Sequence, residues 1–282
     1  MRAGGGLFAA ALFTPITVVY LVFLLAPIGF FLMMSVFRYS PMELWQPAFT
    51  ADNFVRLLSE EHYRVIIFRT LEIAALTTVF SLMLGFPLAY FLARTGSIWR
   101  GVLMFLVIAP LMTGVIVRTY GWIVLLGSEG TVNVVLMWLG VIDEPVKILE
   151  TQVAVLVALV HILMPYMVFP LFSSLASQDP DVERAAATLG AGRWRIFFEV
   201  TLPLSRAGIL MGSALVFTLT AGAVVTPALL GGSKVQMLGQ TIYDLVLSTL
   251  NWPFASAVAF VLVFCQFSII FLYLKGGRRR VG

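Results

Sequence analysis

The sequence predicts an all-α membrane protein with six transmembrane helices, plus a polar, amphipathic segment between the fourth and fifth. Three observations predict it. Of 282 residues, 60% are apolar and only 11% are charged, with a mean hydropathy of +0.99, whereas soluble domains carry about a quarter charged residues. Six apolar stretches are long enough for a hydrocarbon core of ~30 Å, which takes ~20 residues at ~1.5 Å each. The basic residues between those stretches are unevenly shared.

The stretches are 12–37, 73–92, 102–126, 153–172, 208–230 and 254–274. The first is uncharged from Ala3 to Phe37, far longer than the ~7–15-residue core of a cleaved signal, so it reads as a retained span. Only the third holds a formal charge, Arg118. Six crossings return both termini to one side, and 1–282 reads as a single transmembrane domain. With the termini inside, the cytoplasmic segments hold Arg2, Arg94, Arg100, Arg184, Arg193, Arg195, Arg206, Lys275, Arg278, Arg279 and Arg280. The other side holds Arg38, Arg56, Arg64, Arg69, Lys147 and Lys234; eleven and six, with Arg118, account for the 18 Lys and Arg. The positive-inside bias therefore places both termini in the cytoplasm. It also explains the pI near 9.4 without nucleic acid.

Several chemistries are excluded. A lone cysteine, Cys265, leaves no disulfide framework and no cysteine metal site. None of the lysines, Lys147, Lys234 and Lys275, is followed by Ser or Thr, so the chain has no GxxxxGK[ST] phosphate loop and no ATP site of that kind. No covalent catalysis is expected.

The longest polar interruption of the second half is "DPDVERAAATLGAGRWRIFFEVTLPLSRAGI", 179–209. Asp179 can cap a helix, Pro180 suits its first position, and Asp181 and Glu183 favour the positive end of its dipole. Ala185, Ala186 and Ala187 leave a backbone that another surface can approach closely. Gly190 and Gly192 supply a stop and a change of direction. Trp194, Phe197, Phe198 and Thr201 follow helical spacing among Arg193, Arg195 and Glu199, as in an interfacial helix ended by Pro203 ahead of the fifth span. On physics alone, an ordinary solvated loop competes with a docking element.

This pattern resembles the "EAA---G---------I-LP" loop of the membrane permeases of bacterial ABC importers. Ala185, Ala186, Gly190, Leu202 and Pro203 fall at the family spacing, Val200 replaces the Ile, and the Glu position is Arg184, with Glu183 one residue earlier. "DNFVRLL", "RTLEIAALTTVFSLMLGFPLAYFLAR", "VIVRTYGWIVLLGSEGTVN", "PALLGGSK" and "NWPFASAVAF" are similar to spermidine/putrescine-type permeases. The resemblance implies the type I importer permease fold in a bacterial inner membrane, with 179–203 as a cytoplasmic coupling helix docked on an ATPase. Glu183, Arg184, Ala185, Ala186, Gly190, Leu202 and Pro203 would carry that coupling. It also implies two ATPase copies holding ATP and Mg, a second homologous permease in a heterodimer, and a periplasmic substrate-binding protein. The expected cargo is a polyamine, with an opine, amino-acid derivative or other small organic ion as the alternative.

Polar groups in and near the spans are the remaining candidates. Arg118 is either a translocation-path group or a structural cation paired with Glu72; the pair is expected, because arginine would repel a cationic solute. His161 reads as a helix-packing histidine in preference to a proton relay. Tyr120, Trp122, Tyr243, Asp244 and Trp252 suit either cation–π contacts or an interfacial aromatic belt. A secondary transporter would show paired repeats and intramembrane carboxylates, neither of which is visible.

Overall fold

The structure, a computed structural model, describes residues 4–278. Arg2, Arg279 and Arg280, which enter the orientation count, lie outside the described residues. Those described are helical apart from turns, loops and one isolated bridge between Arg38 and Gln46. The chain divides into two compact units, Met1–Arg64 with Ile242–Val261, and Val65–Thr241 with Leu262–Gly282.

In the first unit, α1 (Gly4–Ser35) is followed by a short ordered connection and α2 (Asp52–Ser59). Buried Asn53 donates from Nδ2 to the Ser35 and Phe37 carbonyls, 2.9 Å each, satisfying acceptors that the end of α1 leaves free. Trp45 stacks on Phe37 with centroids 5.6 Å apart. The unit also holds the start of α3 (Glu61–Arg94) and of α13 (Trp252–Arg278). There Tyr63 meets Phe254 edge-on at 4.9 Å, with the Arg56 guanidinium 4.8 Å from the Phe254 centroid.

The second unit is built around α7 (Gln152–Ala176), whose Ala158, Met167, Leu171 and Leu175 are fully buried. Against it lies α11 (Arg206–Ala221), and two glycines set the approach. A Cβ on Gly208 would stand 2.7 Å from the Pro170 carbonyl oxygen, and one on Gly212 2.7 Å from Met167 Sδ. Small residues one turn apart are how membrane helices bring backbones together without a hydrophobic drive.

Among the described residues five helical segments, Val115–Trp138 being one of them, are long and apolar enough to cross a bilayer, and a sixth exists if Arg193–Leu204 and Arg206–Ala221, bent by 67°, form one broken span. Two expected spans are corrected. The continuous helix expected over 102–126 is interrupted: α4 (Trp99–Ile108) passes into a 3₁₀ turn, Ala109–Met112, and α5 (Val115–Leu126) starts afresh after an extended Gly114. Pro110 offers no N–H to continue the ladder, and its carbonyl is taken by Thr113 Oγ1 at 2.8 Å. After α5 a short α6 (Thr131–Trp138) carries the chain to the loop before α7. The helix expected over 208–230 ends at Ala221, closed by the Gly222 N–H on the Thr218 and Thr220 carbonyls. It is followed by a wide turn, Pro227–Gly231, and by Gly232 at φ 54° before α12 (Leu238–Leu247).

Candidate functional site

Between α7 and α11 the chain forms a hairpin of short helices. Asp179 accepts from the Asp181 N–H at 2.9 Å, and Pro180 opens α8 (Pro180–Thr188). The turn that follows needs a left-handed residue, and Gly190, at φ 86°, supplies it. The return arm starts as α9 (Arg193–Ile196), widens into a π turn at Phe197–Thr201, and finishes in α10 (Leu202–Leu204). Pro203 therefore does not end the arm: as the second residue of α10 it lacks only an N–H that the wide turn leaves spare, and the bend falls at Ser205.

The two faces of the hairpin differ. Phe197 is held edge-on against buried Phe86 of α3 at 5.4 Å, while Trp194, 76% exposed, lies nearly parallel to Phe198 at 6.2 Å on the outer face. Leu189, at the tip, is 88% exposed. Arg195 pairs with Glu199, and Arg184 with Asp181, all four largely in water, where such pairs contribute ~0–1 kcal/mol.

Glu183 behaves otherwise. Its carboxylate accepts from the Tyr90 hydroxyl at 2.9 Å, from Arg94 Nη2 at 2.9 Å and from Thr201 Oγ1 at 3.1 Å. The Arg94 and Glu183 side chains are only 16% and 15% exposed. Burial alone would raise the Glu183 pKa; the hydrogen bonds from Arg94 and Tyr90, the Arg94 charge and the Thr201 hydroxyl outweigh it and hold the carboxyl below its ordinary range. Arg94 also donates from Nη1 to the Leu175 and Gln178 carbonyls at the end of α7, 3.1 and 3.4 Å. A cleft of about 830 Å³ opens beside these groups, lined among others by Tyr90, Arg94, Pro180, Glu183, Ala187 and Trp194.

A second set lies between α5 and α7. Trp122 Nε1 donates to His161 Nδ1 at 3.3 Å, their rings crossing edge-on at 5.5 Å. Arg118 donates from Nη1 to the Ile162 carbonyl at 3.3 Å and lines a cavity of about 280 Å³ with Tyr166, Thr226 and apolar residues. The expected Arg118–Glu72 pair is not formed; no carboxylate among the described residues is within ion-pair reach of Arg118. The Ile162 carbonyl, and no counter-charge among the described residues, partners the cation there.

Of the sequence-based candidates, Arg118, Trp122 and His161 are thus gathered, while Glu72 and Tyr120 are exposed and Tyr243 and Asp244 stand on α12 in the other unit. The sequence points to neither Arg94 nor Tyr90 as a site residue, and it places Thr201 on the interfacial helix without a role for its hydroxyl. A cation in the last turn of a span looks like an interface anchor, and only its distance to Glu183 shows another role.

Residues 85–281 match the family described as "Binding-protein-dependent transport system inner membrane component". The chain is 36% identical over 230 residues to the spermidine/putrescine transport system permease protein PotB of Escherichia coli strain K12, covering 82% of this chain and 83% of that one. It is 34% identical over 229 residues to PotB of Haemophilus influenzae, covering 81% and 80%. In fold it resembles a bacterial alginate ABC transporter, crystallised in complex with an alginate pentasaccharide-bound periplasmic protein, with a TM-score of 0.79 over 99% of this chain and 98% of that one at 18% identity.

Proposed function

Because the chain belongs to the family of binding-protein-dependent transport system inner membrane components, we propose that it is the permease of an ATP-driven importer that passes a polyamine from a periplasmic binding protein to the cytoplasm. The family makes it a membrane transport subunit and not an enzyme. Six crossings with cytoplasmic termini, one transmembrane domain, a second homologous permease and two ATPase copies carrying ATP and Mg complete the proposal.

The observation that carries the mechanism is the braced hairpin. Its outer face offers Leu189, Trp194 and Arg184 to a partner, while Glu183 and Phe197 fix its inner face to the helix bundle. Turning an equilibrium between inward- and outward-facing states from mostly one to mostly the other takes about 5.5 kcal/mol of differential binding. A rigid hairpin gripped by a hydrolysing partner can deliver such work as a lever, whereas a free loop would absorb it.

The polyamine assignment rests on the PotB relatives. One observation favours a second cargo: Arg118, without a carboxylate partner, lines the cavity between α5 and α7, which suits a solute bearing a carboxylate better than a polycation. Reconstituting the chain with its ATPase, second permease and binding protein in proteoliposomes separates the readings. Stimulation of ATP hydrolysis by spermidine or putrescine supports the first; stimulation by amino-acid derivatives alone supports the second; a complex that no solute stimulates is not this importer.

A further inference from the structure

We propose that Arg94 is a positioning residue of energy coupling, the brace that makes the 179–203 hairpin move as one body with α3 and α7. The proposal rests on the importer reading above and extends it to residues outside the hairpin.

The hairpin has a natural hinge at each end. Asp179 lies extended at φ −69° and ψ 120°, and the return arm breaks at Ser205 with a 67° bend. Left alone, α8 would swing about these points. Arg94 prevents this by binding three elements at once: it is the last residue of α3, it reaches the Leu175 and Gln178 carbonyls at the end of α7, and it pairs with Glu183 of α8. The Leu175 carbonyl, in the last turn of α7, also accepts from the Gln178 N–H at 3.3 Å, and a cation is favoured at that negative end. A second route closes the circuit. Thr201 donates to Glu183, Ser205 Oγ donates to the Thr201 carbonyl at 2.7 Å, and Gln178 Nε2 donates to Ser205 Oγ at 3.2 Å.

This arrangement commits the Glu183 carboxylate to three inward bonds, while Arg184, the residue at the motif's Glu position, points outward to Asp181. Glu183 is therefore spent on the brace and not on the ATPase. Force applied at the hairpin tip passes through Glu183 and Arg94 into α3 and α7.

The test uses the complete transporter in proteoliposomes and reads solute moved per ATP hydrolysed, together with the ATPase retained on the purified complex. Arg94→Met and Glu183→Gln are each expected to lower the ratio by ~10-fold, within the usual range of coupling between sites, with the ATPase still bound. Arg94→Lys should keep most of the ratio, and the double variant should be no worse than the poorer single, since both remove one interaction. An unchanged ratio, additive losses, or loss of the ATPase from Glu183→Gln would overturn the proposal, the last by making Glu183 a docking contact. Thr201→Val removes one neutral donor without stranding a charge; it is expected to lower the ratio ~2-fold even if the charge variants fail to assemble, and no effect there also overturns the proposal. If the unaltered complex shows no solute-stimulated hydrolysis, the importer reading has failed, and not the brace.

Discussion

Arg94 Nη2 lies 2.9 Å from Glu183 Oε1, although the two residues are 89 positions apart in the chain. Both side chains are largely shielded from water, so the pair lies between an exposed ion pair, at ~0–1 kcal/mol, and a buried one, whose breakage from one side costs ~3–5 kcal/mol. Glu183→Gln should destabilise the purified chain by about 2 kcal/mol, read as a lower midpoint of thermal unfolding in detergent.

The pH dependence of that difference has a definite sign. The Glu183 pKa is depressed from 4.5 in the folded chain, so its stabilisation is complete above the unfolded value and is lost as pH falls through the depressed one. The gap between the native chain and Glu183→Gln should stay constant from neutral pH to ~5 and narrow only below ~4.5. A gap that already narrows between pH 7 and pH 5 would show that the pair does not protect the carboxylate.

Gly208 faces the Pro170 carbonyl oxygen and Ser174 Cβ, each 2.7 Å from where a Cβ would stand. Gly208→Leu is expected to force α11 away from α7 and cost roughly 3 kcal/mol or more. By contrast, the backbone at Gly101 has nothing within 4 Å of a Cβ, and Gly101→Ala should leave the unfolding midpoint unchanged or slightly raised.

Asn133 is fully buried and clamps the loop before α7. Its Nδ2 donates to the Gly127 and Val146 carbonyls, and its Oδ1 accepts from the Val146 N–H, all at 3.0 Å. Asn133→Leu removes the side-chain partner of the Val146 N–H and carbonyl, leaves the Gly127 carbonyl with the Gly130 N–H alone, and should cost ~2–3 kcal/mol. Faster hydrogen exchange at Val146 is the local signature to measure.

Much of this was legible in the sequence, for reasons that are local. Asp179, Pro180 and Gly190 act on their immediate neighbours, so the start and stop of α8 follow from residue type. The breaks at Thr113–Gly114 and after Ala221 were not visible, because an apolar run longer than ~20 residues satisfies a hydropathy reading whether or not the helix within it is continuous. Arg118 shows a second limit. A charge in a span demands compensation, but sequence does not say whether a carboxylate or a backbone carbonyl provides it, and here it is the Ile162 carbonyl. The hairpin's carboxylate shows a third: a one-residue offset turns a side chain by about 100° on a helix, so Glu183 and Arg184 exchange inner and outer faces without altering the helix.

The proposed mechanism has the hairpin project into the cytoplasm, where an ATPase grips it. It is tested most directly by placing a cysteine at the exposed tip, Leu189→Cys, with the native Cys265 changed to Ser, and crosslinking the assembled transporter in inside-out vesicles. A permease–ATPase adduct whose yield changes when ATP is bound is the expected result. Labelling of that cysteine only from the periplasmic side, or adducts that never contain the ATPase, would contradict it.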